Sequence, residues 1–393
     1  MFRLVQHRDR PFAATSPTRP TVSTMIDVDT FQAEARTWLA ANRSGAPRDY
    51  GAICPPDLVA AGVAWHRRLY DAGYTGIHWP EVFGGRGLTP AHNAAWMYEC
   101  ASAGVPAIFN MVGLVLTGQA IQRFGTPEQH ERFLHPTLRA DVLWCQLFSE
   151  PGAGSDLGGL TTRAERDGDR WIVNGQKVWC SGGRYSHYGI LMARTNPEAP
   201  KHAGISFFLC DMRAPGVEIR PLKQMTGEAE FDEVFFTDAQ LPADALLGPL
   251  HDGWNVGMAV LTNERGHIGT AVIGMERRLE SMARLAEGRE LTAPQRQALV
   301  GLIARGQAYK AMVQRQGPVA STAASLMKLG ISEMGFAQAM LRADVVGPDA
   351  QLDGPDAYGL LASPAGRIAG GTSQVQRNII GERLLGLPRE PKV

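Results

Sequence analysis

Apolar positions recur at helical spacing early in the chain. Phe31, Ala35, Trp38 and Leu39 form one stripe, and Leu58, Val59, Gly62, Val63 and Trp65 with His66 form a second. The stripes predict a mostly helical region over 25–144, broken by the Gly- and Pro-dense segment GYTGIHWPEVFGGRGLTP at 73–90. From Cys145 the texture changes. DRWIVNGQKVWCSG, YGILMAR, GISFFLCDM, GVEIRPL and FDEVFFTD are short runs rich in β-branched and aromatic residues, separated by Gly, Pro and Asp turns. They predict a small β domain over 145–248, closed by Leu241–Pro242 and Gly248–Pro249. Long helical patterns return from Gly253 through Ile380, within a third region, 249–393. Ala304–Met312 and Ala323–Met340 are rich in Ala, Met and Leu with few breakers. The order is therefore helix, β, helix, an α+β chain.

Residues 1–24 share none of this periodicity. They are rich in Arg, Thr, Ser and Pro, and the prolines oppose the amphipathic helix of a transit peptide. The reading is a disordered leader from an upstream start, with Met25 opening the helical region; a functional tail is the alternative.

At 393 residues the chain can bury a sizeable core and divide into two or three domains. Lys+Arg and Asp+Glu are equal at 39 each, which argues against a nucleic-acid protein. The longest apolar stretch, near Met111–Leu116, is far shorter than the roughly 20 residues of a membrane span. The five cysteines (Cys54, Cys100, Cys145, Cys180, Cys210) are scattered and form no CxxC pair. That spacing argues against metal or disulfide frameworks and suits a reducing cytoplasm. No G-x-G-x-x-G follows a strand, so a dinucleotide fold is not supported.

Chemistry concentrates in three strings. QLFSEPGAGSD (Gln146–Asp156) offers hydroxyls and backbone N–H groups around a Gly-rich turn, and NGQKVWCSGG (174–183) places Trp179 two residues before Ser181. A flat, electron-accepting ring needs an aromatic face and donors for its edge. In RIAGGTSQVQRNIIGERLLGLP, from Arg367, Gly370–Gly371–Thr372 predicts a tight turn into a helix whose start carries Ser373 and Gln376 at capping-box spacing. Free N–H groups there suit a flavin or a developing oxyanion.

Together these strings resemble the acyl-CoA dehydrogenase family over nearly the whole chain from about Phe31. The resemblance implies an N-terminal α-helical domain, a middle β domain and a C-terminal four-helix-bundle domain. It also implies α,β-dehydrogenation of an acyl-CoA thioester to a trans-2-enoyl-CoA, with FAD as cofactor and electrons passed to an electron-transfer flavoprotein. Phe148, Ser149, Trp179, Ser181, Thr372 and Gln374 would contact FAD, and Ser155 the CoA portion. Segment 73–90 would lie at the mouth of the acyl pocket.

The chain departs from its relatives in two places. Most members carry their catalytic Glu at the position of Gly370, which retains only a backbone N–H for the thioester oxygen. The isovaleryl-CoA dehydrogenases instead carry the base in a Glu-Arg pair, and LTNERGHIG aligns Glu264 and Arg265 with it. Glu264 is then the candidate base and Arg265 its active-site arginine; a helix-surface ion pair is the plain alternative. His267, on the same helix face, reads as a structural histidine. The second departure is at 286–296 and 343–352, which lack the family's Arg-x-x-Phe-Gly and Gln-x-x-Gly-Gly segments that reach a neighbouring subunit's FAD. A homo- or heteromeric dimer or tetramer follows from the resemblance, and the departures add a half-site subunit as a rival reading. A flavin oxidase or monooxygenase on the same fold is a further rival. Substrate identity stays open, although Gly113, Gly118 and Gly266 could make room for a bulky acyl group.

Overall fold

The computed structural model describes residues 26–50, 53–266, 268–314 and 320–389, with the side chains of 262–271 and 313–323 left aside. The expected leader at 1–24 lies outside the described residues, as does His267. Helices α1 (Val28–Asn42), α2 (Val59–Asp71) and α3 (Pro90–Ala103) open the chain. Asp27 caps α1, accepting from the Thr30 N–H at 2.9 Å. Their apolar stripes converge on Phe31, Leu39, Trp65 and Trp96, with Tyr74 stacked on Trp96 at 4.2 Å. Segment 73–90 is a set of interlocked turns. Trp79 N–H donates to the Gly76 carbonyl at 3.0 Å and Gly87 N–H to the Trp79 carbonyl at 2.8 Å.

A π-helical turn at Val112–Thr117 runs into α4 (Gly118–Phe124), followed by α5 (Pro127–Arg139). The turn is buried throughout, so the apolar stretch at Met111–Leu116 is core. Two glycines here need a different reading from the one their spacing suggests. A Cβ on Gly118 would sit 2.2 Å from the Trp79 ring, and one on Gly113 would sit 2.5 Å from the Asn110 amide. Protein side chains, not a ligand, fill the space these glycines leave. Gly266 lies among the residues whose side-chain surroundings are not described.

Seven strands follow: β1 (Trp144–Leu147), β2 (Arg163–Asp167), β3 (Arg170–Ser181), β4 (Tyr188–Arg194), β5 (Ile205–Asp211), β6 (Val217–Leu222) and β7 (Phe231–Pro242). They form one sheet in the order β1-β4-β2-β3-β7-β6, with β5 added to β4. The uninterrupted apolar runs of β4 and β5 are buried on both faces, as their composition requires. One face packs on Leu114, Leu116 and Ile121 beneath the helices, and the other closes a core around Trp171, Val173, Phe208 and Val234.

Four long helices complete the chain: α6 (Gly253–Gly266), α7 (Ile268–Ala286), α8 (Ala293–Gln314) and α9 (Ala320–Val346). Short α10 (Pro355–Ala362) and α11 (Ser373–Ile379) follow. The start of α6 lies hard against β5, where a Cβ on Gly253 would meet the Ser206 backbone at 2.4 Å. Val256 and Val260 then bury α6 in the core shared with β5 and the π-helical turn. That seat fixes the axis along which Glu264 and Arg265 are carried.

Candidate active site

The first two strings meet at one edge of the sheet. Phe148 and Ser149 leave the end of β1, and Val178 N–H of β3 donates to the Ser149 carbonyl at 2.9 Å. Lys177, fully buried, donates through Nζ to the Phe148 carbonyl at 3.0 Å and to Glu150 Oε1 at 2.8 Å. Glu150 accepts further bonds from Thr161 N–H at 2.7 Å, Thr161 Oγ1 at 2.8 Å and Thr162 N–H at 2.9 Å. A buried carboxylate is tolerable only when its lone pairs are used in this way. Burial opposes ionisation of Glu150, but the Lys177 charge and the hydrogen bonds from Lys177, Thr162 and Thr161 overcome it and hold the carboxyl at about 2. Burial pulls the Lys177 ammonium below its ordinary 10.5, with Glu150 opposing the pull.

Pairing of β3 with β7 shifts register between Lys177 and Cys180. Trp179 sits inside this bulge with φ 61°, a conformation a bulky side chain adopts only under constraint. The bulge turns the indole outward, 54% exposed, edge-on to Phe231 with ring centres 5.7 Å apart. Ser181 opens into a cleft lined by Phe109, Met111, Val112, Trp144 and Tyr185. The turn beyond it is fixed by Gly182 N–H to the Glu230 carbonyl at 2.9 Å and by Arg184 on the buried Asp232 carboxylate at 2.7 Å.

Ser155 stands apart, exposed on the loop between β1 and β2. Asp156, next to it, pairs with Lys201, and Arg194 donates to the Gly158 carbonyl at 2.8 Å.

Gly370, Thr372 and Gln374 lie at the start of α11. Gly370 and Gly371 have φ 64° and 91°, so the turn depends on glycine. The cap is Thr372, whose Oγ1 accepts from Val375 N–H at 3.2 Å. This corrects the capping box expected from Ser373 and Gln376. Ser373 instead donates to Glu333 Oε1 of α9 at 2.7 Å, and Gln376 donates to the Gly370 carbonyl at 3.0 Å. Glu333 also pairs with Arg367 at 3.2 Å and Arg377 at 3.5 Å, and Lys328 donates to the Gly371 carbonyl. The Ser373 hydrogen bond lowers the Glu333 pKa, with help from both arginines against a smaller opposing effect of burial. Gly370 and Gln374 are exposed. Glu264 and Arg265 occupy the last turn of α6, but their side chains lie outside the described residues.

Sequence reasoning passed over Lys177 and Glu150, although a signal was present. Lys177 is in phase with Trp171 and Val173 on β3, and alternation puts all three inward. Glu333 and Lys328 gave no such signal, since their role depends on how α9 meets a turn some forty residues away.

Comparison with known proteins completes the picture. Models of the N-terminal, middle and C-terminal domains of acyl-CoA dehydrogenases match residues 30–141, 145–239 and 251–385. The chain belongs to the acyl-CoA dehydrogenase family. It is 40% identical over 389 residues to "Acyl-CoA dehydrogenase IpdE1" of Mycobacterium tuberculosis, covering 94% of this chain and 100% of that protein. Among solved structures it resembles the "Tcur3481-Tcur3483 steroid ACAD", with TM-score 0.79 and 24% identity over 92% of this chain and 98% of the other. It also resembles the ChsE4-ChsE5 complex from Mycobacterium tuberculosis, with TM-score 0.76 and 26% identity over 94% of this chain and 100% of the other. Among the described residues no helix is long and apolar enough to cross a membrane, and no His/Cys/Asp/Glu group could hold a metal ion.

Proposed function

We propose that this acyl-CoA dehydrogenase binds FAD at the edge formed by Phe148, Ser149, Trp179 and Ser181, and converts an acyl-CoA thioester to its trans-2-enoyl product. The observation that carries the reading is the bonding of two distant strings into one edge, with Trp179 held outward at φ 61°. An uncovered indole face beside hydroxyls and backbone N–H groups fits a flat heteroaromatic ring. A flavin held there supplies the hydride acceptor, and an electron-transfer flavoprotein takes the electrons onward. Glu264 removes the proton α to the thioester, and Arg265 is the arginine of the same active site. The Gly370 N–H is the donor for the thioester oxygen, where negative charge develops as the α-proton leaves. Thr372 and Gln374 would meet the cofactor from the α11 side, and Ser155 would meet the CoA portion from its exposed loop. Anaerobic addition of a panel of acyl-CoA thioesters to the purified flavoprotein tests the reading. Bleaching of the flavin band by a thioester supports it, and a spectrum indifferent to every thioester argues against it.

A second reading has its own support. Gly370 offers no side chain, and the turn bearing it is exposed. Two of the similar solved structures are named as pairs of different subunits. In this reading the chain is one half of a heteromeric enzyme whose homologous partner completes the α11 side of the site. Measuring FAD per chain after expression alone and after co-expression with a neighbouring homologue separates the two readings. Full occupancy in a homo-oligomer would remove the second.

A further inference from the structure

We infer that Lys177 is a positioning residue that aims the Ser149 amide as a hydrogen-bond donor toward the cofactor edge; this rests on the site proposed above. The argument begins with peptide geometry. No cis peptide bond occurs in the described chain, and in a trans peptide the C=O of one residue and the N–H of the next point in opposite directions. The Phe148 carbonyl is drawn inward by Lys177 Nζ at 3.0 Å. The Ser149 N–H on the same peptide plane must therefore point away from Lys177, out of the buried interior. The following plane is fixed as well: the Ser149 carbonyl accepts from Val178 N–H at 2.9 Å, and the Glu150 N–H is taken by the Ala153 carbonyl at 3.0 Å. Of the two N–H groups, Glu150's is consumed within the turn and Ser149's is directed outward.

An ordinary core has no need of a charge at Lys177. A methionine there would fill similar space without the cost of burying an ammonium and a carboxylate, which well-packed apolar residues often match or exceed in stability. What a methionine cannot do is donate to the Phe148 carbonyl. Lys177 also stands at the beginning of the bulge that turns Trp179 outward, so one side chain ties the donor peptide to the strand bearing the aromatic face. Glu150 then supplies the negative charge that favours the protonated form of Lys177, and Thr161 and Thr162 keep Glu150 in place.

The test compares Glu150→Gln with the double variant Lys177→Met/Glu150→Gln, each prepared as apoprotein and titrated with FAD in the assembly in which the wild type binds it. Flavin fluorescence quenching reads affinity, and thermal melting of the apoprotein reads folding. Both variants remove the buried negative charge, and they differ only at Lys177. The expected result is FAD affinity within about threefold of wild type for Glu150→Gln, because the amine still donates to Phe148. The double variant, free of an unpaired buried amine, should melt no lower than the single one yet bind FAD roughly tenfold more weakly, the loss expected for one misdirected hydrogen bond. Equal affinities for the two variants, or an equal tenfold loss in both, would overturn the inference. A wild type that takes up no FAD in any assembly would instead overturn the reading of the site itself.

Discussion

The two halves of the proposed site are built by the same device in different surroundings. On the sheet side, Lys177 draws the Phe148 carbonyl inward from a fully buried position. On the helical side, Gln376 and Lys328 do the same for the Gly370 and Gly371 carbonyls; Gln376 is buried there, but Gly370 is exposed and the ion pairs around Glu333 are partly open to solvent. Buried bonds resist water and hold one geometry; exposed ones exchange with solvent and contribute little each. The sheet half is held together by buried bonds within the chain. The helical half presents Gly370 and Gln374 to solvent with Ile368, Leu385 and Leu387 exposed in the same C-terminal stretch, which is the half a second subunit would complete under the heteromeric reading.

The largest effect expected is on chemistry. Glu264→Gln should lower turnover by about 10²–10⁴-fold while FAD content stays unchanged, measured with an artificial electron acceptor. An active variant would move the base elsewhere, to the partner under the half-site reading. Next comes stability. Lys177→Met alone leaves Glu150 buried and unpaired and should cost about 3–5 kcal/mol in chemical denaturation. Glu333→Gln, on the exposed half, should cost only about 1 kcal/mol or less. Comparable losses would erase the contrast between the halves.

Acid titration sharpens the same contrast. The Glu150 carboxyl sits at about 2 in the folded chain against an ordinary 4.5, so the folded state favours its ionised form. Its contribution to stability is present in full above 4.5 and is lost as pH falls toward 2. Denaturation midpoints should fall across that window in the wild type and change less steeply in Lys177→Met/Glu150→Gln. The smallest effect concerns Trp179. Trp179→Gly relieves a positive φ and should stabilise the apoprotein by up to about 1 kcal/mol while weakening FAD binding. Simultaneous loss of both would mean that the indole holds the bulge together.

Much of this was legible in the sequence, for identifiable reasons. Period 3.6 gives way to β-rich runs at Cys145 and returns at Gly253, so the helix, β, helix order stood out. The strings bearing Ser149 and Trp179 pointed to a family through their literal sequence rather than through residue type, because an ordinary β-turn uses the same residues. Burial of Lys177 was harder to see, because charge argued for solvent while strand phase argued for the core, and the Glu150 partner lies 27 residues away. Thr372 and Ser373 are equally good caps by composition, and only backbone geometry chose between them. Gly113 and Gly118 were misread because a glycine advertises vacant space without saying which neighbour will take it.

The bulge at Trp179 also bears on which insertions and deletions β3 can accept. Removing one residue between Lys177 and Cys180 would restore regular pairing with β7, a change that elsewhere in a sheet would look like repair. Trp171, Val173 and Lys177 face inward on one side of the bulge and Cys180 on the other, and with one residue fewer Lys177 and Cys180 would stand two apart, both still inward, in ordinary alternation. Neither the core strand nor the ladder beyond it would have to turn over. The sheet itself therefore has no need of the extra position, and what a shortening would sacrifice is the outward display of the Trp179 indole.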